Sequence, residues 1–195
     1  AAVWPNARIL LTLRSQPTMW ASLYGQYVAE GGTCSPERFA GLDASNRVFI
    51  AEPYFRYYEV VSHYRERFGA ASVCIGLYED LVNDPAGFIK SYLAFIGVTP
   101  PATKRRESKR INRGLSPAGL RLLRIANRAL RSPLNPGAPI PVGNRRARNL
   151  LSNLPRPRPG RSTAEELPWG DRVRAGNRRL EEELGLPLAA RGYPV

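Results

Sequence analysis

The sequence predicts an α/β protein with a parallel sheet flanked by helices. Three observations carry this. Two short apolar runs, Ile9–Leu13 and Ser72–Tyr78, have strand length and the near-continuous hydrophobicity of strands covered on both faces. Each is followed by a stretch with helical spacing of apolar residues. The 195 residues contain no internal repeat and suffice for one domain with its own core. We therefore expect a single domain over 1–195, with an αβ core in 1–98 and a basic, helical part in 99–195.

Pro5 and Asn6 are turn residues ahead of the first strand, residues 9–14. Arg14, Ser15 and Gln16 make a short polar turn. Pro17 suits the first position of a helix, where its missing N–H costs nothing. Trp20, Leu23, Tyr24 and Tyr27 continue at helical spacing over about 17–30, and their simplest role is to pack this helix on the sheet. Gly31 and Gly32 stop it. In open α/β sheets ligands bind outside the carboxyl ends of strands, beside helix N-termini, so Arg14 stands where an anion would bind. Ser22 could add a hydroxyl donor. An Arg in such a position is by itself more often a solvated surface residue.

Ser35–Glu37 opens a helical turn anchored by Phe39, and 41–47 read as loop. From Pro53 to Phe68 the residues Tyr54, Tyr57, Tyr58, Val61, Tyr64 and Phe68 mark one half-buried stripe, ended by Gly69. The single His63 is expected on a helix surface. After the second strand, Asp84 and Pro85 have N-cap and N1 character, predicting a helix over 85–96 that ends at Gly97. Glu79 is assigned a structural role, accepting backbone N–H groups at a strand end.

Thr99, Pro100 and Pro101 mark a boundary, and KRRESKRINRGLS beyond them is charged and poor in apolar residues. Ser116–Pro117 starts another helix, with Leu120, Leu123, Ile125 and Leu130 on its apolar face and Arg121, Arg124, Arg128 and Arg131 outside. Residues 132–143 read as loop, 144–154 as a short basic helix and 155–168 as loop. Residues 171–184 are helical.

Net charge is +13. Residues 1–100 hold eight Lys/Arg against nine Asp/Glu, and 101–195 hold twenty-one against seven. A basic half implies an anionic partner, which leaves a nucleotide, a sulfated or phosphorylated substrate, nucleic acid or a membrane surface. No run is long enough to cross a bilayer and no secretory leader is visible, so the expected location is cytoplasmic. Cys34 and Cys74 have no metal-ligand spacing, and Cys74 is expected to be a buried free thiol.

Three separated stretches together resemble the PAPS-dependent sulfotransferases, in a bacterial form. The first is the strand, Arg14, Pro17 turn and aromatic helix with Ser22 eight residues after the arginine, within RILLTLRSQPTMWASLYGQY. The second is YEDLVNDPAGFIKSYLAFIGV, in which a strand ends in Tyr-Glu-Asp-Leu and a helix closes on Phe-Ile-Gly-Val. The third is Asn177-Arg178-Arg179-Leu180 followed by Gly185-Leu186 and a final Gly192-Tyr193-Pro194. The resemblance implies a P-loop NTPase-like sulfotransferase fold and binding of PAPS or PAP, with Arg14 and Ser22 on the 3'-phosphate. By position, Lys109, Arg110, Asn112 and Arg113 are further candidates, although the family's Arg-Lys-Gly triplet is absent. It also implies transfer of a sulfuryl group to a small-molecule or glycan acceptor through a hydroxyl or amine. The catalytic base is unassigned, no metal is implied and no nucleic acid is expected. No stretch matches the Pro-Lys-x-Gly-Thr-Thr/Ser loop that wraps the phosphosulfate. The expectation is thus an N-terminally incomplete sulfotransferase domain that binds nucleotide but shows little catalysis alone. A basic nucleic-acid-binding protein and a noncatalytic remnant are the competing readings, although no helix-turn-helix, zinc or RNA-recognition pattern supports the former.

Overall fold

The computed structural model describes residues 6–40, 52–99, 115–141 and 170–195. The expected helix over 144–154 and loop over 155–168 lie outside them. The chain is mixed α/β with a small parallel sheet flanked by helices, and it divides into two compact units. The first takes Ala1–Pro17, Glu52–Glu107 and Trp169–Val195; the second takes Thr18–Ala51 and Ser108–Pro168.

In the first unit β1 (Ile9–Leu13) and β2 (Val73–Leu77) pair in parallel, from Ile9 opposite Val73 to Leu13 opposite Leu77. Side chains alternate across a strand, so Leu11, Leu13, Ile75 and Leu77 share one face. That face is covered by Tyr57 and Val61 of α3 (Tyr57–Phe68), by Leu180 and Leu184 of α7 (Gly170–Leu184) and by the tail residues Leu186, Leu188 and Tyr193. The two chain ends of this unit are thereby sewn into one apolar core, driven by removal of these side chains from water.

The other face meets α5 (Pro85–Ile96). Gly76, opposite Thr12, has no side chain, and a Cβ there would overlap Phe88 and Tyr92. The glycine lets Tyr92 approach closely enough to donate its hydroxyl to the Leu11 carbonyl at 3.0 Å and to bond Thr12 Oγ1 at 3.0 Å. Coverage of β1 is less complete than its apolar run predicts. Leu13 is 5% exposed but Leu10 is 41% exposed.

Several boundaries differ from the sequence reading for visible reasons. The segment from Pro53 is not one helix: Glu52–Phe55 is a 3-10 turn and α3 begins at Tyr57, which leaves Tyr54 exposed and off the stripe. The second strand stops at Leu77, and Tyr78–Asn83 form a short helix, α4, with Glu79 and Asp80 in its first turn. Carboxylates there complement the positive end of the helix dipole. Asp84 caps α5 by accepting from Gly87 N–H at 3.0 Å, and Gly97 ends it in the left-handed conformation at φ 76°. His63 is exposed on α3.

The second unit holds most of α1 (Gln16–Ala29), with α2 (Pro36–Ala40) and α6 (Pro117–Ala126). The α1 aromatics gather around Phe39 of α2, which is 2% exposed: Trp20, Tyr24 and Tyr27 stand with ring centroids 4.9, 5.4 and 4.8 Å from it. Ser116 caps α6 by accepting from Gly119 N–H at 3.1 Å, as its cap chemistry predicts. The helix ends at Ala126, short of Leu130. Asn127 is buried there and donates to the carbonyls of Val28 and Gly32, while Asn135 donates to the Asn127 carbonyl at 2.9 Å. These side-chain bonds satisfy carbonyls and fix the turn where an extra helical turn would otherwise continue. Cys34 and Cys74 are free and half-buried, so Cys74 is less enclosed than its apolar run predicts.

Candidate functional site

The turn between β1 and α1 is two residues long, Arg14 and Ser15, and nearly every polar group around it is held by residues distant in sequence. The Ser15 N–H donates to Glu79 Oε1 at 3.0 Å, and the Ser15 hydroxyl donates to the Gly192 carbonyl at 2.8 Å. Tyr193 donates its hydroxyl to Glu79 Oε2 at 2.9 Å. Glu79 therefore acts structurally, but on the turn after the neighbouring strand rather than on its own. On the other side of the turn Tyr57 donates to the Arg14 carbonyl at 2.8 Å.

One step further on, Gln16 is fully buried and exchanges two hydrogen bonds with Asn177 of α7, at 2.9 and 3.1 Å. The second N–H of each amide is also used. Gln16 donates to the Phe55 carbonyl at 3.4 Å, and Asn177 to the Pro194 carbonyl at 2.6 Å. Buried amides left unpaired would cost stability, so this reciprocal pairing accounts for two polar side chains in an apolar setting.

The backbone of Arg14 is thus fixed while its side chain extends from the carboxyl end of β1. The residue is half-buried, with its guanidinium carbon 4.7 Å from the centre of the Tyr78 ring. An aromatic face attracts and restrains a guanidinium. Ser22 is exposed on α1, in the second unit. Lys109, Arg110, Asn112 and Arg113 lie outside the described residues. An open cleft of about 390 Å³ runs along β2 and α5, lined by Ile75, Leu77, Phe88 and Leu186 and by Asp80, which pairs with Arg191 at 2.7 Å. Arg14 does not line it. Among the described residues no cluster of His, Cys, Asp and Glu is placed to hold a metal ion, and no helix is long and apolar enough to cross a membrane.

The residues that sequence reasoning missed are Ser15, Gln16 and Asn177 as a network and Tyr78 as the ring beneath Arg14. A signal for the first was present: short polar side chains at the edges of apolar patterns, which must find partners when buried.

Burial pushes the Tyr193 hydroxyl well above the usual tyrosine range, and the neighbouring Glu79 carboxylate pushes it further; Tyr57 is raised chiefly by burial. Both phenols hold their protons more tightly folded than unfolded. Their contribution is complete below the ordinary tyrosine value of about 10 and is lost as pH rises above it. The urea midpoint should therefore hold up to about pH 10 and fall progressively as pH rises beyond it, and Tyr193→Phe should flatten that fall while lowering the midpoint at neutral pH. An unchanged slope in the variant would remove Tyr193 from this role.

Comparison with family models, with characterised proteins and with solved structures finds no match for the chain.

Proposed function

We propose that this chain is a sulfotransferase-like protein that binds PAPS or PAP, with Arg14 as the principal contact to the 3'-phosphate. One observation carries the reading. The three stretches that resemble sulfotransferases are far apart in sequence, yet residues from all three meet at one turn: Ser15 and Gln16 from the first, Glu79 from the second, Asn177 and Tyr193 from the third. Accidental resemblance in three places gives no reason for such convergence. The turn they brace is the one that presents Arg14 at the carboxyl end of a parallel strand.

The donor chemistry suits the assignment. A guanidinium offers two parallel N–H donors to phosphate oxygens and keeps its charge at any physiological pH. On the resemblance alone, Ser22 supplies a hydroxyl donor, and Lys109, Arg110, Asn112 and Arg113 supply further N–H donors. In the reaction, an acceptor hydroxyl or amine of a small molecule or glycan attacks the sulfur of PAPS. Its proton passes to a base, the bridging S–O bond breaks, and PAP leaves with the electron pair. Residues of this chain contribute positioning and charge stabilisation to that process through the nucleotide.

The test is calorimetric titration of the chain with PAP at moderate salt, with 5'-AMP and a random DNA duplex as controls. PAP binding well above 5'-AMP is expected. Equal affinity for PAP and 5'-AMP would overturn the 3'-phosphate site. Duplex binding without PAP preference, falling steeply with salt, would move the reading to a nucleic-acid-binding protein.

A further inference from the structure

The arginines on and just after α6 are not used by this reading, and their setting is distinctive. Between residues 115 and 141 the sequence carries Arg121, Arg124, Arg128 and Arg131 and no acidic residue. The helix is anchored on one side by Leu123 and Gly119, which are buried, and by Arg124, whose guanidinium donates to the Tyr24 hydroxyl at 3.4 Å. Its opposite side carries exposed side chains. Leu122 is 51% exposed and Ile125 is 57% exposed, the latter the most exposed large apolar side chain among the described residues. At 3.6 residues per turn Ala118, Leu122 and Ile125 form one stripe, with Arg121 along its flank and Arg128 just past the helix end.

We propose that this face of α6 docks on an anionic lipid surface, with Leu122 and Ile125 entering the headgroup boundary and Arg121 and Arg128 meeting lipid phosphates. Two features decide for a membrane over a soluble polyanion. A nucleic acid or sulfated glycan would reward the arginines but leave two large aliphatic side chains in water. A lipid interface takes up both at once, and a short helix with an apolar stripe beside a basic flank is the form of such a contact. No carboxylate lies within 115–141 itself, and Glu37 of α2 lies near Arg124, on the anchored side of the helix, so the exposed face carries only positive charge from its own segment. The inference shares no residue with the Arg14 site and stands or falls separately.

The experiment is co-sedimentation of the full chain with phosphatidylcholine vesicles, with and without phosphatidylglycerol, at low and high salt. The chain should partition onto the phosphatidylglycerol vesicles only, and less at high salt. Leu122→Gln with Ile125→Gln should weaken partition about tenfold or more. Arg121→Gln with Arg128→Gln should weaken it by roughly fivefold for each arginine removed. All four positions are exposed, and circular dichroism of each variant checks that the fold is kept. Equal binding to neutral vesicles, or no binding by the folded chain, would overturn the proposal. Full binding by the Leu122/Ile125 variant would do so too, and would identify a purely electrostatic polyanion face. Self-association in the absence of vesicles that this variant abolishes would assign the stripe to a second copy of the chain.

Discussion

Arg14→Ala is expected to weaken PAP binding by roughly ten- to a hundredfold, corresponding to about 1.5–3 kcal/mol for one charge-assisted phosphate contact, while leaving any affinity for 5'-AMP nearly unchanged. The asymmetry is the informative part. PAP and 5'-AMP share base, ribose and 5'-phosphate, so a residue that grips only the 3'-phosphate must discriminate between them when removed. A general loss of structure would reduce both together. The structure gives a reason to expect a clean result. Tyr57 bonds the backbone carbonyl of residue 14 and Glu79 bonds the next N–H, and neither contact involves the Arg14 side chain. Losing the guanidinium forfeits its contact with Tyr78, which is worth about 0.5–1 kcal/mol at a half-exposed site. Arg14→Lys should recover part of the affinity, since an ammonium keeps the charge but not the two-pronged geometry. Calorimetry on the three proteins with both nucleotides settles the matter: equal loss for PAP and 5'-AMP in Arg14→Ala would end the assignment.

What the sequence could and could not say follows from the range of the interactions involved. Elements governed by local chemistry were legible. The strand runs at Ile9 and Val73, the Asp84 and Ser116 caps and the stop at Gly97 each depend on a few neighbouring residues, and the structure has them within a residue or so. Boundaries set by distant partners were not. Gln16 Nε2 reaches the carbonyl of Phe55, just where the expected long helix is broken at Arg56; α6 stops where the Asn127 side chain reaches the α1 end. No window of periodicity contains both ends of such a bond. The same limit applies to the site. Arg14 could be singled out because a strand, a turn and a helix are local. That Glu79, Asn177 and Tyr193 would converge on its turn required the fold, since these residues lie 64 positions or more away along the chain. The resemblance named the same stretches without saying that they touch.

The second large effect should come from the Gln16–Asn177 pair, which joins the first stretch to the last. Asn177→Ala removes a residue that is 1% exposed, takes two hydrogen bonds from the fully buried Gln16 amide, which keeps only the Phe55 carbonyl, and leaves the Pro194 carbonyl without this donor. An orphaned buried polar group costs about 1–3 kcal/mol, so the substitution should lower stability by about 2–4 kcal/mol, a large share of the 5–15 kcal/mol that a domain usually has. The expected readout is a lower urea midpoint with an unchanged slope. A core Leu→Ala change produces losses of similar size, so magnitude alone would not identify the cause. The distinguishing variants are Gln16→Leu, Asn177→Leu and their combination. Each single change keeps approximate volume but leaves one buried amide facing a methyl group, and each should cost about 2–3 kcal/mol. The double variant removes both amides at once, leaving only the Phe55 and Pro194 carbonyls without their donors. Its cost should fall short of the sum of the singles by more than about 1 kcal/mol. Strictly additive costs would mean that the two amides do not act as a pair, and the convergence that supports Arg14 as a built site would lose its firmest joint.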